Sequence, residues 1–204
     1  DEILLDADNN YTLTYTMDKA QYNIPKPENE PVKYYAPGSQ EKISLKAKIT
    51  ELKSTKVEIP VIIGGQEIKT GNTGRCIIPH DHQHVLGIFH KAGEKEIQMA
   101  IESALDTWNR WSKTSLEERA KIFLKMADLL AGSWRDTINA ATMLNMSKND
   151  FQAEIDAACE LIDFWRFNAW FAQELYQQQP MYSPDGMENS TEHRPLEGFI
   201  FAVT

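Results

Sequence analysis

A chain of 204 residues with 42% hydrophobic and 25% charged side chains has the make-up of an ordinary globular protein, long enough for one domain or two small ones. A formal net charge of −9 excludes a nucleic-acid partner held by a basic footprint. The apolar runs fall far short of the roughly 20 residues that a membrane-crossing helix needs, so no membrane partner is expected. Two cysteines, Cys76 and Cys159, make no disulfide framework, and a reducing cytoplasm is the natural compartment.

The chain opens on "DEILLDADNNYTLTYT", which is acidic and shows neither a signal peptide nor a basic transit peptide. Met17 begins the more coherent stretch, so residues 1–16 are read as upstream, non-native leader. Residues 18–40 hold Pro25, Pro27, Pro31 and Pro37 and predict an extended arm, because each proline removes a donor and biases its predecessor toward extended backbone. The spacing of Ile43, Ala47 and Ile49 predicts a short helix over 41–53.

A β region follows. "VEIPVIIGGQEIKTG" turns around Gly64–Gly65, "RCIIPHDHQHVLGIF" follows the Gly71–Gly74 turn, and together they predict a pair of antiparallel strands. From Glu94 the period becomes helical: Ile97, Ala100, Ile101, Ala104, Leu105, Trp108 and Trp111 form one apolar stripe. Ser115 with Glu118 is a capping-box pattern opening a second helix, whose buried face is expected at Leu116, Ala120, Phe123, Ala127 and Leu130. Gly132 stands where a C-terminal glycine belongs. A third helix over 136–145 and a long fourth over 150–177 complete the layer. The apolar run Phe199–Val203 predicts a strand covered on both faces, as in a parallel sheet.

The fourth helix carries two competing stripes. One is Ile155, Cys159, Ile162, Trp165 or Arg166, and Ala169; the other is Ala153, Ala157, Glu160, Phe164, Phe167 and Phe171. Glu160 falls inside the second. Either it is solvated or paired at the helix edge, or it is a carboxylate at the rim of an aromatic pocket, where a ligand ammonium group would compensate its charge. Neither cysteine suits a nucleophile: Cys76 lies in an apolar strand and Cys159 lies among Asp156, Glu160 and Asp163, which would raise a thiol pKa.

"QAEIDAACELIDFWRFNAWFAQELY" and "RPLEGFIFAVT" resemble the front portion of the aldehyde dehydrogenases. With "YAPGS", "IGGQEIKTGNT", "PHDHQHVLG" and "INAATMLNMSKNDFQAEIDAACELIDFWRFN", the wording over residues 17–204 is similar, within them, to the L-glutamate γ-semialdehyde (Δ1-pyrroline-5-carboxylate) dehydrogenases. The resemblance implies an α/β, aldehyde dehydrogenase-like fold, of which only the N-terminal arm, first β-hairpin, helical layer and first sheet strand are present. Residues 17–58 would be the arm and short helix, and 59–204 the N-terminal part of the NAD-binding domain, whose parallel sheet is Rossmann-like.

For the complete protein the resemblance implies proline catabolism: NAD-dependent oxidation of glutamate semialdehyde to L-glutamate through a cysteine thiohemiacetal, hydride transfer and thioester hydrolysis. The catalytic cysteine, the general-base glutamate and the Pro-Phe-Asn turn of such enzymes lie beyond Thr204. No residue here is therefore expected to be catalytic, and the segment alone is expected to be inactive. Glu160 matches the family's substrate-side glutamate and Thr204 the small hydroxyl residue beside the cofactor. The expected partners are a small-molecule substrate, NAD, and further copies of the chain in a homo-oligomer.

His80, His82 and His84 alternate and would point to one face of a strand, at steps of about 7 Å. Lacking a second cluster of ligands, they are read as structural, hydrogen-bonded to backbone or to Asp81, with no metal. Three other readings stay open: a non-catalytic helical module using its aromatic stripes to bind a partner, a metal-binding protein through the histidines, and an aldehyde dehydrogenase of other substrate specificity.

Overall fold

The computed structural model describes residues 23–203; the expected leader over 1–16, the start at Met17 and Thr204 lie outside the described residues. Residues 23–39 run as an extended arm without helix or strand. The arm ends where Ser39 caps α1 (Gln40–Ser54), its hydroxyl accepting from the Lys42 N–H. α1 lies across α4 (Arg135–Met146). It buries Leu45, with Ile49 and Leu52, against Tyr35 and Ala140. The predicted stripe holds only at Ile49, since Ile43 and Ala47 face outward.

The predicted single antiparallel pair is instead two small sheets. β1 (Val57–Ile59) pairs in parallel with β5 (Asp81–His90), which pairs antiparallel with β4 (Thr73–Ile78). β2 (Val61–Ile63) and β3 (Gln66–Ile68) form a separate hairpin. Pro60, with no N–H to give, separates β1 from β2. The hairpin turn needs left-handed backbone at both central positions, supplied by Gly64 (φ 58°) and Gly65 (φ 78°).

α2 (Glu94–Trp111) carries the predicted apolar stripe, yet none of its residues is fully buried. α3 (Leu116–Ala131) begins at the predicted capping box, the Ser115 hydroxyl accepting from the Glu118 N–H at 3.2 Å. It buries Leu116, Ala120, Ala127 and Leu130, while Phe123 turns outward. Gly132 caps the helix with φ −102°, outside the left-handed region.

The predicted fourth helix is continuous but not regular. α5 (Asp150–Ala153) passes through a π-helical turn (Glu154–Cys159) into α6 (Glu160–Gln177). α6 packs along α3, with Ala127, Leu130, Ala158 and Ile162 in one cluster and Ala120, Ala169 and Ile24 of the arm in a second. The predicted strand 199–203 is not formed among the described residues. The segment after α6 is irregular, and the Trp108 indole N–H ties it to α2 by donating to the Leu196 carbonyl at 2.6 Å. An apolar run becomes a strand only where another strand pairs with it, and none of the described strands lies beside this one.

Candidate functional site

The irregular helix positions the site. Across its π-helical turn the buried residues repeat at five: Ala153 and Glu154, then Ala158 and Cys159. Five is the hydrogen-bond step of a π-helix, and the Glu160 N–H donates to the Ile155 carbonyl in that pattern. Neither predicted stripe fits both halves, because each assumed an unbroken α-helical period. Of the first stripe, Cys159, Ile162 and Ala169 are buried; of the second, Ala153 alone.

Glu160 opens α6 and is exposed. It borders an open groove of about 310 Å³ with Asp156 and Ala157 before it, Leu161 and Phe164 after it, and Ile138 from α4 opposite. Phe164, one helical turn on, is itself more than half exposed. The groove thus offers an aromatic ring, aliphatic walls and a carboxylate at its edge, a combination suited to a cationic substituent. Asp156 is engaged by the Lys148 ammonium at 2.6 Å.

A group that the sequence reading missed lies behind this groove. Glu154 is fully buried, and its carboxylate accepts from the Lys33 N–H (2.8 Å), the Tyr35 hydroxyl (2.7 Å), the Asn139 amide (2.8 Å) and the Arg135 guanidinium. Arg135, 2% exposed, reaches onward to the Glu30 carboxylate, the Pro31 carbonyl (2.9 Å) and the Cys159 sulfur (3.3 Å). Arg166 holds the other Glu30 oxygen at 2.7 Å.

Burial alone would raise the Glu154 pKa, but these donors outweigh it and hold the carboxyl down at about 2. Burial and the neighbouring Glu154 carboxylate push the Cys159 thiol up to about 11. The expected direction holds, but Glu154 rather than Asp156, Glu160 or Asp163 is the chief charged cause. The missed signal was the pair of conflicting stripes, since one helix satisfying two periods must change its winding.

Of the three histidines, His80 sits in the β4–β5 turn rather than in the strand and shares a hydrogen bond with the Ser147 hydroxyl at 2.7 Å. His82 is exposed, and His84 donates to the Lys53 carbonyl at 3.0 Å. The expected single face is corrected: the β4–β5 ladder runs to the Ile78–Asp81 pair, so Pro79 and His80 form the two-residue turn that joins the strands.

Thr204, the residue expected beside the cofactor, lies outside the described residues. Gly93 joins β5 to α2, but its N–H donates to the Glu96 carboxylate at 2.8 Å, which fills the place a phosphate would take at a helix start. A larger cavity of about 900 Å³ opens between β2, α2 and the final segment, bordered by Ile62, Ile97, Trp108, Tyr176, His193 and Phe199, away from Glu160.

Comparison with known proteins gives these features a context. Residues 67–204 match the model of the aldehyde dehydrogenase family. The chain is 45% identical over 190 residues to the Delta-1-pyrroline-5-carboxylate dehydrogenase of Agaricus bisporus, covering 93% of this chain and 35% of that protein. It is 42% identical over 179 residues to the mitochondrial Delta-1-pyrroline-5-carboxylate dehydrogenase of Homo sapiens, covering 88% and 32%. The crystal structure of the Delta-pyrroline-5-carboxylate dehydrogenase from Mycobacterium tuberculosis bound with NAD superposes with a TM-score of 0.85 at 43% identity, covering 89% of this chain and 34% of that one. The chain therefore spans about a third of the length of the curated relatives it matches. On this footing the chain belongs to the aldehyde dehydrogenase family.

Proposed function

We propose that this chain is the N-terminal part of an NAD-dependent dehydrogenase that oxidises L-glutamate γ-semialdehyde, the open form of pyrroline-5-carboxylate, to L-glutamate in proline catabolism. The observation that carries this reading is identity of 39–45% to relatives from fungi, an amoeba and animals that all bear the pyrroline-5-carboxylate dehydrogenase name, over at least 86% of this chain. NAD enters the reading from the relative bound with it.

Within the chain, Glu160 is assigned to the substrate side. Its carboxylate beside Phe164 suits the α-ammonium group that distinguishes this aldehyde from simple ones. Thr204 is assigned to the cofactor side by its place in the sequence. When bound, NAD supplies hydride acceptance, and no step of that chemistry falls to a described residue. Neither cysteine serves as the nucleophile: Cys159 is buried with a raised pKa, and Cys76 is part of β4. The segment alone is therefore assigned no turnover.

The complete enzyme is assigned a homo-oligomeric state. Cytoplasmic placement rests on the two free cysteines. The human relative's name places that protein in the mitochondrion, so organelle fractionation decides between the two compartments. Among the described residues no helix is long and apolar enough to cross a membrane.

The test is an assay of the full reading frame that contains this segment, following NADH formation with glutamate semialdehyde and with an aliphatic aldehyde of similar length. A higher kcat/KM for the amino acid semialdehyde supports the reading. Preference for the plain aldehyde moves the assignment to another specificity. Turnover of neither leaves the partner-binding module, which the uncovered apolar stripe of α2 favours.

A further inference from the structure

The π-helical turn has a visible cause. Glu154 and Cys159 stand five residues apart and both touch Arg135, the carboxylate through two guanidinium nitrogens and the sulfur at 3.3 Å. In an α-helix residues four apart share a face, and a fifth residue carries the side chain well round the cylinder. Only the wider winding brings both groups to one guanidinium. The turn closes on Glu160, whose N–H donates across it to Ile155. Glu160 is thus the first residue placed by the stapled turn, and the groove residues Asp156 and Ala157 lie within that turn.

We propose that Arg135, gripped by Glu154 below and by Glu30 of the arm above, is a positioning residue for Glu160. It keeps the turn in π geometry, and so aims the Glu160 carboxylate along the groove between Ile138 and Phe164. This rests on the assignment of Glu160 to the substrate side. Reversion to an α-helical turn would add one residue's worth of winding, about 100° of rotation, between α5 and Glu160. The arm takes part, because Glu30 and the Pro31 carbonyl fix the far side of the guanidinium.

The test uses the full-length enzyme and two substrates, the amino acid semialdehyde and its des-amino analogue, the five-carbon ω-oxo acid. Three variants are compared, namely Arg135→Lys, the milder Glu30→Gln at the rim of the network, and Glu160→Gln as reference. The expected result is a KM for the amino substrate raised about tenfold in Arg135→Lys and in the same direction in Glu30→Gln, with kcat little changed. The KM for the des-amino substrate should not follow.

A purely structural role would instead lower activity toward both substrates in step with thermal stability, and that result overturns the proposal. If Glu160→Gln shifts the amino-substrate KM while neither Arg135→Lys nor Glu30→Gln does, the positioning role fails and the Glu160 assignment stands. If Glu160→Gln itself shifts nothing, both fall. Should Arg135→Lys not fold, Glu30→Gln decides alone, since it leaves the Arg135–Glu154 pair in place.

Discussion

Arg135 and Glu154 form an ion pair in which the carboxylate is fully buried and the guanidinium 2% exposed, joined through two guanidinium nitrogens. Such a pair is held less by its mutual attraction than by the penalty of leaving either charge alone in the interior. Glu154→Leu alone should therefore destabilise the fold by about 3–5 kcal/mol. The double variant Arg135→Met, Glu154→Leu should lose clearly less than that single variant. A double-mutant cycle by urea unfolding checks this, and a double variant losing as much as the sum of the singles would show that the pair does not couple.

The same carboxylate gives the fold an acid limit. Glu154 is lowered from its ordinary 4.5 to about 2, so the folded state favours its charged form. Its contribution is whole above about pH 4.5 and is lost as pH falls through about 2. Asp150, lowered by the Lys42 ammonium, works in the same direction. Stability should fall through this window, and proteolysis of the arm over 23–35 should rise. Glu154→Gln should be less stable at neutral pH and show a shallower decline. A variant that declines as steeply as the parent would assign the acid response elsewhere.

Gly87 is selected by closeness rather than by backbone conformation. A Cβ there would lie 2.3 Å from the Val57 carbonyl oxygen, at the first pair of the parallel β1–β5 ladder. Gly87→Ala should push β1 off the sheet and cost about 1–3 kcal/mol. Amide exchange should quicken in residues 57–59, and protection equal to the parent's there would refute the reading.

His80 and His84 are each already engaged, by the Ser147 hydroxyl and the Lys53 carbonyl respectively. Stripping with a chelator, or adding zinc, should leave the unfolding midpoint where it was. A zinc-dependent rise that vanishes in His80→Ala would instead reveal a metal site.

The helices were legible because each is written locally. Ser115 and Glu118 announce the start of α3, and Leu116, Ala120, Ala127 and Leu130 repeat at the spacing of one face. The family was legible in the wording around 138–168. The groove beside Glu160 was foreshadowed by a carboxylate among aromatics. What escaped is non-local. Glu154 reads as one more acid on an acidic helix until Tyr35, Asn139 and Arg135 arrive from elsewhere in the chain to bury it. The strand at 199–203 was misread for the same reason: a run of apolar residues states a preference, and hydrogen-bonding neighbours decide whether it is met.

The winding change at 154–159 also governs how this chain should be compared with its relatives. A relative whose helix is α-helical throughout would need one residue fewer between its equivalents of Ala153 and Ile162. An ungapped alignment anchored on the first half of the helix would then slip the second by a position, setting Cys159 opposite the residue that does the work of Glu160. Placing the gap inside the turn, where the five-residue repeat marks it, keeps both halves in phase.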